Sequence, residues 1–339
     1  MSLRLLEITG PKEEIEGVPD LLEEIPLVHL WTSAPENATR QVRILLDAQQ
    51  VESVSDKLLS HFGSDSGFRL TSLPVEATIP AAEQDEEEKD SEGDKQESKD
   101  SGPKRISREE LYQDLSQASR LTPVYLAMVG LSTVVAAVGL IRGEVAIIIG
   151  AMVIAPLLGP NVALSLACTL GDPKLAKRSM KAIAAGLVTA VALSLLAGAL
   201  LNADPREPQL ALRTGADVGD IILALAAGGA GSLAFTSGVP AVVVGVMVAV
   251  ALLPPLVTAG LLVGAGYPSQ ALGALMLTLT NVTCVNLAAV ATFLIQKVRP
   301  RTWWETKRAR KATRIAAATW ITMLAVLLGL MLAGYVKGV

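Results

Sequence analysis

Two cysteines and two histidines are all that the 339 residues hold of the side chains best suited to disulfides, metals and nucleophilic catalysis. Cys168 and Cys284 lie in apolar segments, without a zinc spacing or a disulfide framework, and read as small packing residues. His29 and His61 fall in an acidic front part, far apart and without an obvious carboxylate or cysteine partner. They read as ordinary sheet and helix residues. Charge is missing as well: from Ile221 to Gln296 there is no Asp, Glu, Lys, Arg or His. No water-soluble domain leaves so long a run uncharged, so the chain reads as an integral membrane protein. These gaps exclude chemistry. A serine–histidine protease needs a base near Ser232, and no apolar segment holds a histidine. A metal protease needs His or carboxylate ligands at depth. No catalysis, cofactor or metal-ligand set is expected, and a simple proton relay is disfavoured for the same reason.

What is present divides sharply. Residues 1–100 carry 9 Lys/Arg against 23 Asp/Glu, a net of −14, whereas the rest carries 20 against 10, a net of +10. An acidic front and a basic, apolar back call for two different solvents. Glu7, Glu13 and Glu14 interrupt any apolar run at the start, so no signal peptide is expected. Residues 2–8 alternate as a strand, 11–25 suit a helix interrupted by Gly17 and Pro19, and 27–33 and 40–48 read as strands. A helix over 51–62 and a strand over 67–75 complete a β-α-β-β-α-β order, that of the ferredoxin-like fold, within a domain over 1–80. Residues 81–104 are polar, acidic and without large apolar side chains, which predicts a disordered linker. Over 105–122, Ser107 and Glu110 match a capping box, and Leu111, Leu115 and Ala118 form the stripe of an amphipathic helix.

Seven apolar segments follow, at 123–141, 144–171, 180–202, 218–236, 239–266, 271–296 and 315–336. The second and fifth are 28 residues each, about 42 Å as ideal helix against a hydrocarbon core of about 30 Å. Shifting the chain on itself by 95 residues lays 145–176 over 240–271 without a gap, with 12 of 32 positions identical. Gly150/Gly245, Pro160/Pro255, Gly171/Gly266 and Pro173/Pro268 go beyond shared oiliness. A duplication of three segments (123–202 and 218–296) is expected, plus an extra span at 315–336. Three being odd, the second copy enters from the opposite side. Charge agrees: Lys174, Lys177, Arg178 and Lys181 follow the second segment, the loop after the fifth has no charge, and basic residues gather again at 297–314. The positive-inside rule then places the N-terminal domain in the cytoplasm and the C-terminus outside. Trp303, Trp304 and Trp320 suit interfacial anchoring near the last span.

Pro156 and Pro160 cannot donate to the carbonyls of Met152 and Pro156, and Pro254 and Pro255 likewise release those of Val250 and Ala251. Lipid cannot satisfy these oxygens, so protein, water or a ligand must. Two facing breaks at matching places are the plan of secondary transporters with inverted repeats; proline kinks serving shape alone are the plainer alternative. The candidate ligand-binding set is Pro156, Gly159, Pro160, Asn161, Pro254, Pro255, Thr258, Thr280, Asn281 and Asn286, with Asn161 and Asn281 foremost. Each Asn is equally suited to interhelical glue. Ala224, Gly228 and Ser232 have small-xxx-small spacing, for which close helix packing is the default. Asp217, Asp220 and Glu144 lie near the expected outer ends as solvated residues.

The stretches "GAMVIAPLLGPNVAL", "ALLPPLVTAGLL" and "TNVTCVNLAA" resemble the hydrophobic domain of prokaryotic membrane proteins catalogued as domain of unknown function 389, over roughly 120–296. The resemblance implies this architecture and a multi-pass place in the bacterial plasma membrane; it carries no reaction or substrate. The expected partners are the lipid bilayer, a small-molecule or ion ligand and further copies of the chain in a homo-oligomer, with no nucleic acid. The functional expectation is a transporter- or channel-like protein with a ligand-sensing cytosolic domain. Its rival is a receptor or scaffold that binds a metabolite without moving it.

Overall fold

A computed structural model describes residues 3–23, 25, 27–33, 39–48, 50–62, 67–75, 106–201, 203–237, 241–300 and 303–333. The linker expected at 81–104 and the last residues of the final span, 334–336, lie outside them. The chain divides into two compact units, Met1–Glu109 and Glu110–Val339.

The front unit runs β1 (Leu3–Pro11), α1 (Lys12–Ile15), α2 (Val18–Leu21), β2 (His29–Thr32), β3 (Thr39–Asp47), α3 (Val51–Phe62) and β4 (Arg69–Val75), the element order read from alternation and turn residues. The four strands form an antiparallel sheet in the order β2-β3-β1-β4. Alternation decides which face is buried. Leu6 pairs with Ile44 and Ile8 with Val42, and these fully buried side chains meet Ile15, Val18, Val54 and Leu58 from the helices. Each such side chain contributes about 1.5–3 kcal/mol by leaving water.

The second unit is helical: α4 (Arg108–Ala118, shared with the front unit), α5 (Pro123–Arg142), α6 (Val145–Ile154), α7 (Leu158–Leu170), α8 (Pro173–Leu201), α9 (Pro208–Ala211), α10 (Val218–Thr236), α11 (Ala241–Gly264), α12 (Pro268–Ile295) and α13 (Trp303–Leu332). Among the described residues, five helices are long and apolar enough to cross a membrane, namely α5, α8, α10, α12 and Ala309–Met331 within α13. The bent pair α6–α7 makes six if counted as one span. α4 starts directly after Ser107, and its Leu111 and Leu115 are fully buried.

The 95-residue shift reappears in the backbone. α5 starts at Pro123 and α10 at Val218; α8 starts at Pro173 and α12 at Pro268. The turns before α8 and α12 repeat to the hydrogen bond: Gly171 and Gly266 both adopt a left-handed φ, +70° and +87°. The next amides donate to Ala167 O at 2.9 Å and Leu262 O at 2.8 Å. A side chain would be strained at both positions, which is why glycine stands at each. Packing repeats as well. α5 packs on α8 as α10 packs on α12, and α7 packs on α12 as α11 packs on α8.

The expected pair of breaks is corrected. The first copy is interrupted over Ala155–Leu157, and α6 and α7 bend by 49°. The second copy is one continuous helix, with Pro254 and Pro255 inside it. The alignment supplies the reason: the break falls on Pro156, whose counterpart is Ala251. A residue preceding proline is pushed out of the helical region, and Ala155 is extended at φ −68°, ψ 116°. Pro160, by contrast, sits in the first turn of α7, where amides lack intrahelical acceptors anyway. Two segment starts also move. α8 begins seven residues earlier than its apolar run because Asp172 accepts from the amides of Lys174 and Leu175 and Pro173 suits a first helical position. α13 likewise takes in the basic residues before residue 315.

Candidate functional site

One turn beyond the break, α7 carries Asn161, and a further turn on the same face carries Ser165. Both are buried. α12 presents Asn286, fully buried, to the same place. Asn286 Nδ2 donates to Asn161 Oδ1 at 3.1 Å and to Val282 O at 2.8 Å. Ser165 Oγ donates to Asn286 Oδ1 at 3.0 Å, and Asn161 Nδ2 donates to Leu157 O at 2.8 Å, in the break itself. Three polar side chains thus stitch the first copy's interrupted segment to the second copy's third helix. In an apolar interior such bonds matter because a deserted partner has nowhere to turn.

The remaining candidates distribute as follows. Pro156 is half-buried in the break, and Gly159 and Pro160 form the first turn of α7. Pro254 and Pro255 are buried within α11. Asn281 is buried on α12, and the Asn161–Ser165–Asn286 bonds do not include it. Thr258 and Thr280 differ in kind. Hydroxyls in these helices commonly fold back on the carbonyl four residues earlier, as Thr133, Thr169, Ser194, Ser232, Thr278 and Thr283 do. The Oγ1 atoms of Thr258 and Thr280 are buried without any such partner. An unmet buried hydroxyl costs about 1–3 kcal/mol.

Ser165 was not among the residues singled out from the sequence, although its place four residues after Asn161 was the available signal. The glycine crossing of α8 and α11 was also missed. A Cβ added at Gly260 would lie 1.8 Å from Ser194 Oγ, one at Gly264 2.1 Å from Leu195 O, and one at Gly198 2.1 Å from Leu261 O. The backbones are in direct contact there. Gly228 on α10 likewise admits Val285 of α12, as its small-xxx-small spacing suggested.

A third feature lies beyond α7. Tyr112 Oη on α4 donates to Asp172 Oδ2 at 2.7 Å, and Arg178 Nη1 donates to Ser116 Oγ at 3.0 Å. Burial, reinforced by the bond to Asp172, pushes the Tyr112 phenol up to about 12. Burial alone would raise Asp172, yet the Tyr112 hydroxyl and the amides of Leu175 and Lys174 outweigh it and hold the carboxyl below its ordinary value. At the far ends of α8 and α10, an open cleft of about 1180 Å³ is lined by Asp204, Arg206, Asp217, Asp220, Tyr267 and Gln270. Asp217 and Asp220 cap α10 reciprocally in a capping box. Among the described residues, no three His, Cys, Asp or Glu side chains gather as metal ligands.

Residues 152–287 match the family described as Domain of unknown function (DUF389), a span that includes the break, Asn161, both prolines of α11 and Asn286. The chain is 38% identical over 324 residues to an uncharacterized protein of Methanocaldococcus jannaschii, covering 95% of this chain and 97% of that one. No solved structure matches the chain.

Proposed function

For a chain that belongs to the DUF389 family, we propose a multi-pass membrane protein that passes a small solute or ion, with the front unit as a ligand-sensing regulator. The observation that carries this reading is the interruption at Ala155–Leu157, with a buried polar cluster one turn beyond it. Irregular backbone at membrane depth is tolerated where it is enclosed by protein or lines a path, and transporters of repeated design place their sites at such interruptions. Thr258 and Thr280 add buried hydroxyls that find no hydrogen-bond partner among the described residues. Counting α11 as a span gives seven, arranged as two copies of three in opposite orientations plus α13. The basic α7–α8 turn and the basic start of α13 then face the cytoplasm, as does the front unit, and the C-terminus lies outside in the plasma membrane. The order β2-β3-β1-β4 with both helical layers on one face supports a ferredoxin-like front domain. The protein acts as a homo-oligomer, without enzymatic activity and without nucleic acid.

Flux into liposomes, wild type against Asn161→Ala and Asn281→Ala, tests the reading: passage of at least one ion or metabolite, altered by either substitution, is expected. No flux across a broad panel would transfer the case to a non-transporting receptor or scaffold. One observation favours that second reading: Asn161, Ser165 and Asn286 already engage one another. Thermal-shift screening of metabolites against the whole protein would then identify the ligand.

A further inference from the structure

We propose that α4 is a strap whose hold on α7 sets the state of the break at Pro156. The inference rests on the transport reading for its purpose and adds the regulation of that same site.

The strap touches α7 at both ends. At its start, Ala118 closes on Gly159, the second residue of α7: a Cβ placed there would come within 2.7 Å of the Ala118 Cβ and 3.2 Å of its carbonyl oxygen. At its end, the Tyr112 hydroxyl holds Asp172, two residues past Leu170. Ser116, one turn on from Tyr112, receives Arg178 from the first turns of α8. One helix of 11 residues therefore fixes the segment that begins at the break and carries Asn161 and Ser165.

The other end of α4 is anchored differently. Arg108, its first residue, is only 8% exposed. Its guanidinium donates to Asp56 at 3.1 Å, lies 3.6 Å from Glu52, both on α3, and also bonds Glu109. A buried guanidinium that loses its carboxylates leaves an unmatched charge, which keeps Arg108 on α3.

The second copy lacks both strap points. Pro254 stands where Gly159 does, and Tyr267 where Asp172 does. The strap thus acts on the interrupted copy and has no counterpart on the continuous one among the described residues.

Cys168, in the last turn of α7 and partly exposed, is a native reporter. In the full chain carrying Cys284→Ser and reconstituted in lipid nanodiscs, the rate at which a small maleimide modifies Cys168 reads the hold on α7. Tyr112→Phe and Asp172→Asn are expected to raise that rate about tenfold, the effect of one charge-assisted hydrogen bond. An unchanged rate in Tyr112→Phe and Asp172→Asn would overturn the strap. Faster labelling in both variants without flux through either upholds the strap while removing the transport reading, so the two fail separately.

Discussion

The crossings of α7 with α12 and of α11 with α8 mirror each other through the 95-residue shift, yet they are held by opposite means. Ser165 in the first corresponds to Gly260 in the second, Thr169 to Gly264, and Asn286 to Val191. Where the first copy uses side-chain hydrogen bonds of 3.0 and 3.1 Å, the second brings backbone against backbone. Bare glycine contacts leave no alternative arrangement, because any shift opens a gap or makes a clash. Hydrogen bonds among buried Asn and Ser side chains hold a crossing only while each group keeps its partner. The interrupted helix belongs to this polar crossing. One half of the duplicated architecture is thus held by steric contact and the other by polar pairing.

The largest effect is expected from breaking the rigid crossing. Gly264→Val drives a branched side chain into Leu195 O and should destabilise the folded protein by about 3 kcal/mol or more, beyond the usual range for overpacking because backbone cannot yield. Reversible unfolding in mild detergent measures this, and a stability within error of wild type would show that the helices separate freely. At the polar crossing, Asn286→Ala should cost about 1–3 kcal/mol by stranding Ser165 and Asn161. With Asn161→Ala added, the double variant should lose less than the sum of the two, since the residues share one network. Strict additivity there would mean that they do not act together.

Exchanging the break is a subtler operation. Pro156→Ala restores an amide able to reach Met152 O and should straighten α6–α7, whereas Ala251→Pro should bend α11, an interior helix proline costing about 3 kcal/mol. Distances between spin labels at the helix ends read the 49° bend directly. A bend that persists in Pro156→Ala would assign it to packing instead of proline. The smallest effect concerns the strap of the first copy. The depressed Asp172 contributes stability that is present above its unfolded value of 3.8 and lost as pH falls through its lower folded one. Tyr112, raised from 10.0 to about 12, contributes stability that is complete below pH 10 and lost as pH rises through about 12. Melting followed across pH should show a plateau between these flanks, and Tyr112→Phe should remove the alkaline one. An alkaline flank surviving in that variant would point to another group.

The sequence exposed the repeat because its markers are local requirements. Gly171 and Gly266 stand where φ is positive, and Pro173 and Pro268 stand where a helix begins. Such needs are legible one residue at a time, as is the alternation of the front sheet. The paired prolines were misleading for a related reason. A proline's missing donor is visible in the sequence, but whether the helix opens there depends on which turn it falls in and what packs around it. Pro156 opens the first copy and Pro254 does not open the second.

Element order, the apolar segments, the doubled pattern and the separation of an acidic front from an uncharged interior all follow from residue identity, because solvent preference and backbone freedom belong to each residue. Which asparagines meet was a matter of packing. Asn161 lies with Asn286, 125 positions away, while Asn281, five positions from Asn286, is outside their bonds. The closing of Tyr112 on Asp172, the backbone contact of Gly264 with Leu195 and the hydroxyls of Thr258 and Thr280, unbonded among the described residues, arise the same way. Distances of a few ångströms between segments far apart in the chain are set by how helices cross, and no single segment carries that information.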